Sequence, residues 1–172
     1  ATMPRLAEVS EFCNIFDLIS EDKMLITAAA DGRVNTMTAS WGGAGFLWGQ
    51  PVAFCFIRPG RFTERFVEAS QALSLSFFGG ERRRALAICG SMSGRDGDKF
   101  EAAGLSPAYR AGVPYIAEAH TVLICRRLYS APFERSRFVD DGQICTRFYP
   151  DDDYHIMHIC AIEAVLTDRP EL

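Results

Sequence analysis

Residues 24–41 constrain the fold of this chain more than any other stretch, because they read as a β-hairpin whose two strands differ in character. Residues 24–30 are apolar, Asp31-Gly32 is a pair suited to a two-residue type I′ turn, and residues 34–41 form the return strand. The return strand runs Asn35-Thr36-Met37-Thr38-Ala39-Ser40-Trp41 and leads into Gly42-Gly43. A strand that gives this many positions to hydroxyls and a short amide is expected to hold something polar.

The remaining periodicity extends the β pattern. Residues 51–58 are hydrophobic enough for a strand covered on both faces, residues 72–78 alternate, and residues 120–129 and 154–166 form two long final strands. Short helices are expected at 9–20, with Val9, Phe12, Ile15, Phe16 and Ile19 as its stripe, and at 61–70, 81–89 and 96–103. Residues 104–114 read as a loop with room for one short strand. Antiparallel strands with few helices favour a mainly β, closed or nearly closed barrel over a doubly wound sheet. At 172 residues, 48% hydrophobic and 23% charged, the chain suits a single domain over 1–172.

The net charge of -4 argues against nucleic acid or an anionic membrane as the main partner. No apolar run approaches the ~20 residues of a membrane span and no leader pattern opens the chain, so a cytoplasmic location is expected. Cys13, Cys55, Cys89, Cys125, Cys145 and Cys160 are evenly spread and mostly inside apolar runs, as expected of small buried hydrophobes. No metal site is expected: there is no Cys-x-x-Cys, and three-residue spacing on a strand points His155 and His158 to opposite faces.

Three further segments carry chemistry. Arg58-Pro59-Gly60-Arg61-Phe62-Thr63 sets two guanidiniums and a hydroxyl around a turn into a helix, an arrangement suited to phosphate. Ser91, Ser93, Gly94, Arg95 and Lys99, within the run from Cys89 to Phe100, offer hydroxyls, backbone N–H groups and cations to an anion; a solvated loop paired with Asp96 and Asp98 is the plainer alternative. Asp153-Tyr154-His155 enters the last strand, where a histidine is more often a structural hydrogen-bonding residue than a catalyst. Gly42-Gly43-Ala44-Gly45 reads equally as a flexible turn or as close backbone approach to a ring. Neither a dinucleotide fingerprint nor a G-K-[ST] loop is present.

Taken in order, the Asn35–Gly43 strand, the Arg58–Thr63 turn and the Cys89–Phe100 string resemble the flavin reductase-like proteins of the FMN-binding split-barrel class, over residues 22–165. A fourth element departs from that pattern, with Ala161-Ile162-Glu163 where a Gly-Glu pair is common. The resemblance implies a split β-barrel, a homodimer with FMN near the subunit interface, and NAD(P)H as electron donor. Residues 36–41, with Asn35 beside them, would then run along the flavin ring. Arg61 and Thr63, with Arg58, Phe62 and the 91–99 loop, would hold the phosphate, and His155 would lie near the flavin or nicotinamide pocket. With no dinucleotide fingerprint there is no evident place for an adenylate half, so FMN is expected over FAD. Two alternatives remain: a flavoredoxin-like carrier that takes electrons from a protein partner, and a barrel that binds no flavin.

Overall fold

In the computed structural model, residues 4–7 and 15–169 are described. Its main sheet has eight strands. Seven follow the order β3-β2-β6-β9-β10-β5-β4, and β1 (Arg5–Ala7) pairs with β10 off that path. The strands are β2 (Met24–Ala30), β3 (Arg33–Ala39), β4 (Gly42–Leu47), β5 (Gln50–Ile57), β6 (Ala72–Phe77), β9 (Thr121–Pro132) and β10 (Ile156–Thr167). Every pairing is antiparallel.

Asp31 and Gly32 both have positive φ (52° and 73°), the type I′ geometry that matches strand twist. The expected hairpin therefore forms, in the register Met24↔Ala39 to Ala30↔Arg33. The return strand ends two residues early, at Ala39, and Ser40-Trp41 connect it to β4. That connection shapes the fold. β3 and β4 lie at opposite ends of the strand order, yet two residues join them, so the sheet must curl until its edges meet in a mainly β split barrel.

The glycine cluster expected as a turn or ring contact is an edge strand instead, with Gly42 paired to Cys55 and Gly45 to Val52. A Cβ on Gly42 would lie 2.7 Å from the Phe54 carbonyl oxygen, so glycine here lets β4 close against β5.

The sheet is covered on both faces. Met24, Ile26, Ala28, Leu73, Leu75 and Leu123 fill one core with α2 (Phe62–Ala69), while Leu25, Val122 and Ile124 pack outward under α3 (Arg83–Ser91). α1 (Ile15–Ser20) adds Ile19 to the first core, and the remainder of the helix expected at 9–20 lies largely outside the described residues. Cys55, Cys89, Cys125, Cys145 and Cys160 are free and buried, as expected, whereas Cys13 is outside the described residues.

Several boundaries differ from the sequence reading. The helix expected at 96–103 begins at Lys99 as α4 (Lys99–Ala103), because the Asp98 carboxylate caps it by accepting from the N–H groups of Phe100 (2.9 Å) and Glu101 (3.3 Å). The segment 104–114 contributes to a hairpin, β7 (Pro107–Arg110) with β8 (Val113–Ile116). α5 (Gln143–Phe148), which periodicity did not show, lies between β9 and β10. No described helix is long and apolar enough to cross a membrane.

Candidate flavin site at the barrel seam

The connection from β3 to β4 opens a pocket of about 120 Å³ at the seam. Met37, Thr38, Ala39, Ser40 and Trp41 line one side of it, and Phe56, Arg58, Arg61 and His155 line the other. A second pocket, of about 200 Å³, shares Arg61 and is lined by Ser91, Ser93, Arg95 and Lys99. A third, of about 280 Å³, meets the first at Thr38 and the second at Gly90 and Ser91. The three adjoin one another around the end of β3, between the start of α2 and α3, and the third also carries Glu21 and Asp22.

The second pocket has the chemistry of an anion site. Arg61, Arg95 and Lys99 line it, with no carboxylate among its residues. Arg61 is half-buried and donates only at 3.4 and 3.5 Å, to the Gly90 and Cys89 carbonyl oxygens, so its guanidinium is weakly committed. Lys99 is 3% exposed, and its Nζ donates to the carbonyl oxygens of Thr36 (2.7 Å) and Cys89 (3.1 Å). Burial, and secondarily the Arg61 guanidinium, push the Lys99 ammonium down to about 8. Two cations held together without a counter-ion present a site that a dianionic phosphate would neutralise.

Not every expected ligand residue faces the groove. Asn35 Nδ2 donates to Thr63 Oγ1 (2.8 Å) in the interior, and Thr36 Oγ1 donates to the Ile26 carbonyl oxygen (3.1 Å) and pairs with Thr27 Oγ1 (2.9 Å). These side chains fix β3 to β2 and α2. Thr38 lines the groove while its hydroxyl donates to the Leu86 carbonyl oxygen at 2.5 Å. Phe62 sits in the wall of the second pocket, packed edge-on to Phe66 and beneath Arg95 at 5.0 Å. Ser91 donates back to the Ala87 carbonyl oxygen (2.9 Å), and Ser93 Oγ accepts from the Arg95 N–H (3.2 Å). Gly94 cannot carry a Cβ, which would meet the Asn35 amide and approach Phe62 to 2.9 Å.

Arg58 has a different task from Arg61. It pairs with Asp153 (2.9 Å), donates to the Phe148 carbonyl oxygen (2.9 Å) and lies 5.1 Å from the Tyr149 ring centroid. It clasps the segment after α5 against the end of β5, and that segment runs to His155, which lines the first pocket. Tyr149, which the sequence reading missed, is 2.8 Å from His155 Nδ1, and His155 lies 5.1 Å from the Trp41 ring. Burial, then the Arg58 charge, push the His155 imidazole down to about 4, so it is neutral at physiological pH. Burial also raises the Tyr149 phenol, which keeps its proton. The phenol and Nδ1 are hydrogen-bonded to each other, which leaves the Nε2 edge of His155 for a ligand.

His158 is separate from this site. Fully buried, it meets Glu64 with Nε2 (3.0 and 3.1 Å) and Ser130 Oγ with Nδ1 (2.6 Å), and Arg127 donates to Ser130 at 3.0 Å. Glu64 is 3% exposed in the first turn of α2, so this network ties the helix that follows Arg61 to β9 and β10.

A fold and groove of this kind define a flavin reductase-like domain. The family model described as "Flavin reductase like domain" matches residues 17–171, and the chain belongs to that family. Comparison with curated proteins gave no significant match. Among solved structures the chain is similar to an FMN-binding protein from Thermus thermophilus (21% identity, 92% of this chain and 78% of that one, TM-score 0.69). It is also similar to flavoredoxin from Methanosarcina acetivorans (18% identity, 96% and 78%, TM-score 0.69). A third is the styrene monooxygenase flavin reductase from Pseudomonas putida (15% identity, 90% and 84%, TM-score 0.64).

Proposed function

We propose that this protein binds FMN in the seam groove and passes hydride to it from NAD(P)H. The observation that carries the reading is the pocket lined by Arg61, Arg95 and Lys99 without a carboxylate, beside a ring pocket floored by the end of β3. These residues fit the cofactor: Arg61 and Lys99 would hold the phosphate, and the backbone of residues 37–41 with the Ser40 hydroxyl would face the ring. FMN supplies the hydride and electron chemistry when bound. The chain's part is to bind, orient and exclude water. Hydrogen-bond donors along β3 would stabilise negative charge on the reduced ring, and the His155 imidazole would position the nicotinamide or the ring edge.

Exposed aromatic side chains favour a homodimer that covers the ring pocket, which at about 120 Å³ is too small to enclose an isoalloxazine alone. Phe16 (81% exposed), Phe46 (74%) and Trp48 (57%) are the most exposed of them among the described residues. Trp48 also occupies a turn position with positive φ (52°).

Two outcomes test the site locally. FMN affinity should fall as pH rises through about 8, because an FMN phosphate already dianionic there binds best to charged Lys99. In the free protein the sign is opposite: the buried ammonium is a cost below about pH 8 that is relieved towards the usual lysine range, so stability rises over that window. Dissociation constants measured from pH 6.5 to 9.5 check this, and a flat profile would take Lys99 out of the phosphate site.

His155→Ala should slow flavin reduction by NAD(P)H while FMN affinity stays within a few fold. Stopped-flow reduction beside a melting curve separates this from a structural role, in which stability falls and the rate of the folded protein holds. A protein that binds FMN but is not reduced by NADH or NADPH would be the flavoredoxin-like carrier.

A further inference from the structure

Ser130, His158 and Glu64 form a line of polar groups that the flavin site does not use. Ser130 Oγ is 2.6 Å from His158 Nδ1, and His158 Nε2 is 3.0 and 3.1 Å from the two Glu64 carboxylate oxygens. Hydroxyl, imidazole and carboxylate therefore stand in the order nucleophile, base and orienting acid, within hydrogen-bond reach at both steps. An ionised Glu64 can only accept, so Nε2 carries a hydrogen, and in the neutral ring Nδ1 then accepts from the Ser130 hydroxyl. His158 and Glu64 are buried, whereas Ser130 is only half-buried.

A strand irregularity brings a cation to the same hydroxyl. Residues three apart on a regular strand point to opposite faces. Here the pairing with β10 shifts from Cys160↔Arg127 to Ile159↔Tyr129 and leaves Leu128 with no opposite residue. That bulge turns Arg127 towards Ser130, where its Nη1 donates to Oγ at 3.0 Å. Nη2 of the same guanidinium donates to the Glu68 (3.2 Å) and Ser70 (3.4 Å) carbonyl oxygens, while Nε is buried with no hydrogen-bond partner. A buried donor without an acceptor calls for an explanation, and a ligand oxygen beside Ser130 supplies one. β6 stops pairing with β9 at Ala72↔Arg126, so from Leu128 onward no described strand pairs with that side of β9.

We propose that Ser130 is a second reactive centre, a nucleophile that hydrolyses small carboxylic esters with His158 as its base and Glu64 as the residue that positions His158. Ser130 Oγ attacks the ester carbonyl carbon as its proton passes to His158 Nδ1. The bond from that carbon to the alcohol oxygen then breaks, and the departing alcohol takes the proton from Nδ1. Water, deprotonated at Nδ1 in the same way, cleaves the acyl-serine and releases the carboxylic acid. Arg127 supplies positive charge where the tetrahedral oxygen becomes negative. A half-buried hydroxyl admits a short acyl chain and resists a branched one, which sets the substrate class. None of these four residues lines the flavin pockets, so the proposal stands apart from the flavin reading.

The probe is p-nitrophenyl acetate, given to the full chain. Wild type should release nitrophenolate catalytically, and peptide mass mapping of protein quenched during turnover should place the acetyl group on Ser130. Ser130→Ala should lower turnover roughly hundredfold or more, with FMN affinity within about twofold. Glu64→Gln, which keeps an acceptor for Nε2, should lower kcat roughly tenfold or more at a KM near that of wild type. A purely structural Glu64 would instead lower the melting temperature and leave kcat of the folded protein unchanged. Phenylmethanesulfonyl fluoride keeps the test open should Ser130→Ala not fold: it should sulfonylate Ser130 of wild type with loss of fluoride, and turnover should fall in step. Turnover equal in wild type and Ser130→Ala, or acetyl groups found only on lysine and tyrosine side chains, overturns the proposal, as does wild-type turnover that phenylmethanesulfonyl fluoride leaves intact.

Discussion

Arg61→Ala should weaken FMN roughly ten- to hundredfold and riboflavin hardly at all. The two ligands share the ring and ribityl chain, so the difference isolates the phosphate. Arg61 is half-buried, opens the helix after the turn, and lines both the ring pocket and the phosphate pocket. Its two contacts, at 3.4 and 3.5 Å, are too long to hold it elsewhere. Losing a charge-assisted bond to phosphate costs about 1.5–3 kcal/mol, which sets the expected range. Arg58→Ala should behave differently, because that side chain is engaged by Asp153 and the Phe148 carbonyl. Its loss should loosen the Tyr149–His155 wall and affect both ligands alike. Parallel titrations check both variants, and equal losses for Arg61→Ala would show that it touches the ring or only supports the fold.

The second large effect concerns stability. His158→Leu should destabilise the protein by about 3–5 kcal/mol, because it leaves the Glu64 carboxylate buried without its imidazole partner. In a domain of this size that corresponds to a drop in Tm on the order of 10 °C. Removing both partners, Glu64→Leu with His158→Leu, should recover much of the loss, since an apolar pair carries no desolvation cost. Thermal unfolding of the three variants is the measurement. A His158→Leu protein as stable as wild type would show that the network contributes little. FMN affinity of the folded fraction should change little, which distinguishes this histidine from His155.

The sequence made the seam legible and left its wall obscure. Asp31-Gly32 and the polar run after it were readable because a two-residue turn and a strand each depend on local chemistry. The place of Arg61 at the turn into α2 was readable for the same reason. Asn35, Thr36 and Thr63 looked equally suited to a ligand, yet a hydroxyl's partner depends on which strand lies beside it, and pairing with β2 and α2 turns these three inward. Tyr149 and Glu64 were missed for opposite reasons. Tyr149 follows a six-residue helix too short to show a period, and it reaches His155 only because Arg58 clasps its segment. Glu64 sits in a charged helix start that reads as solvated, and is buried because His158 faces it from β10. The glycine run looked like a turn because only the closeness of Phe54 shows why a strand there lacks side chains.

The claim that this groove is a flavin site is tested most directly by titrating the wild-type protein with FMN and following tryptophan fluorescence. Trp41 lines the ring pocket and is 43% exposed, so a ring bound there should quench it. Saturable quenching at one FMN per chain, with most of the signal lost in Trp41→Phe, is the expected result. No saturable change, or one carried entirely by Trp48, would contradict it.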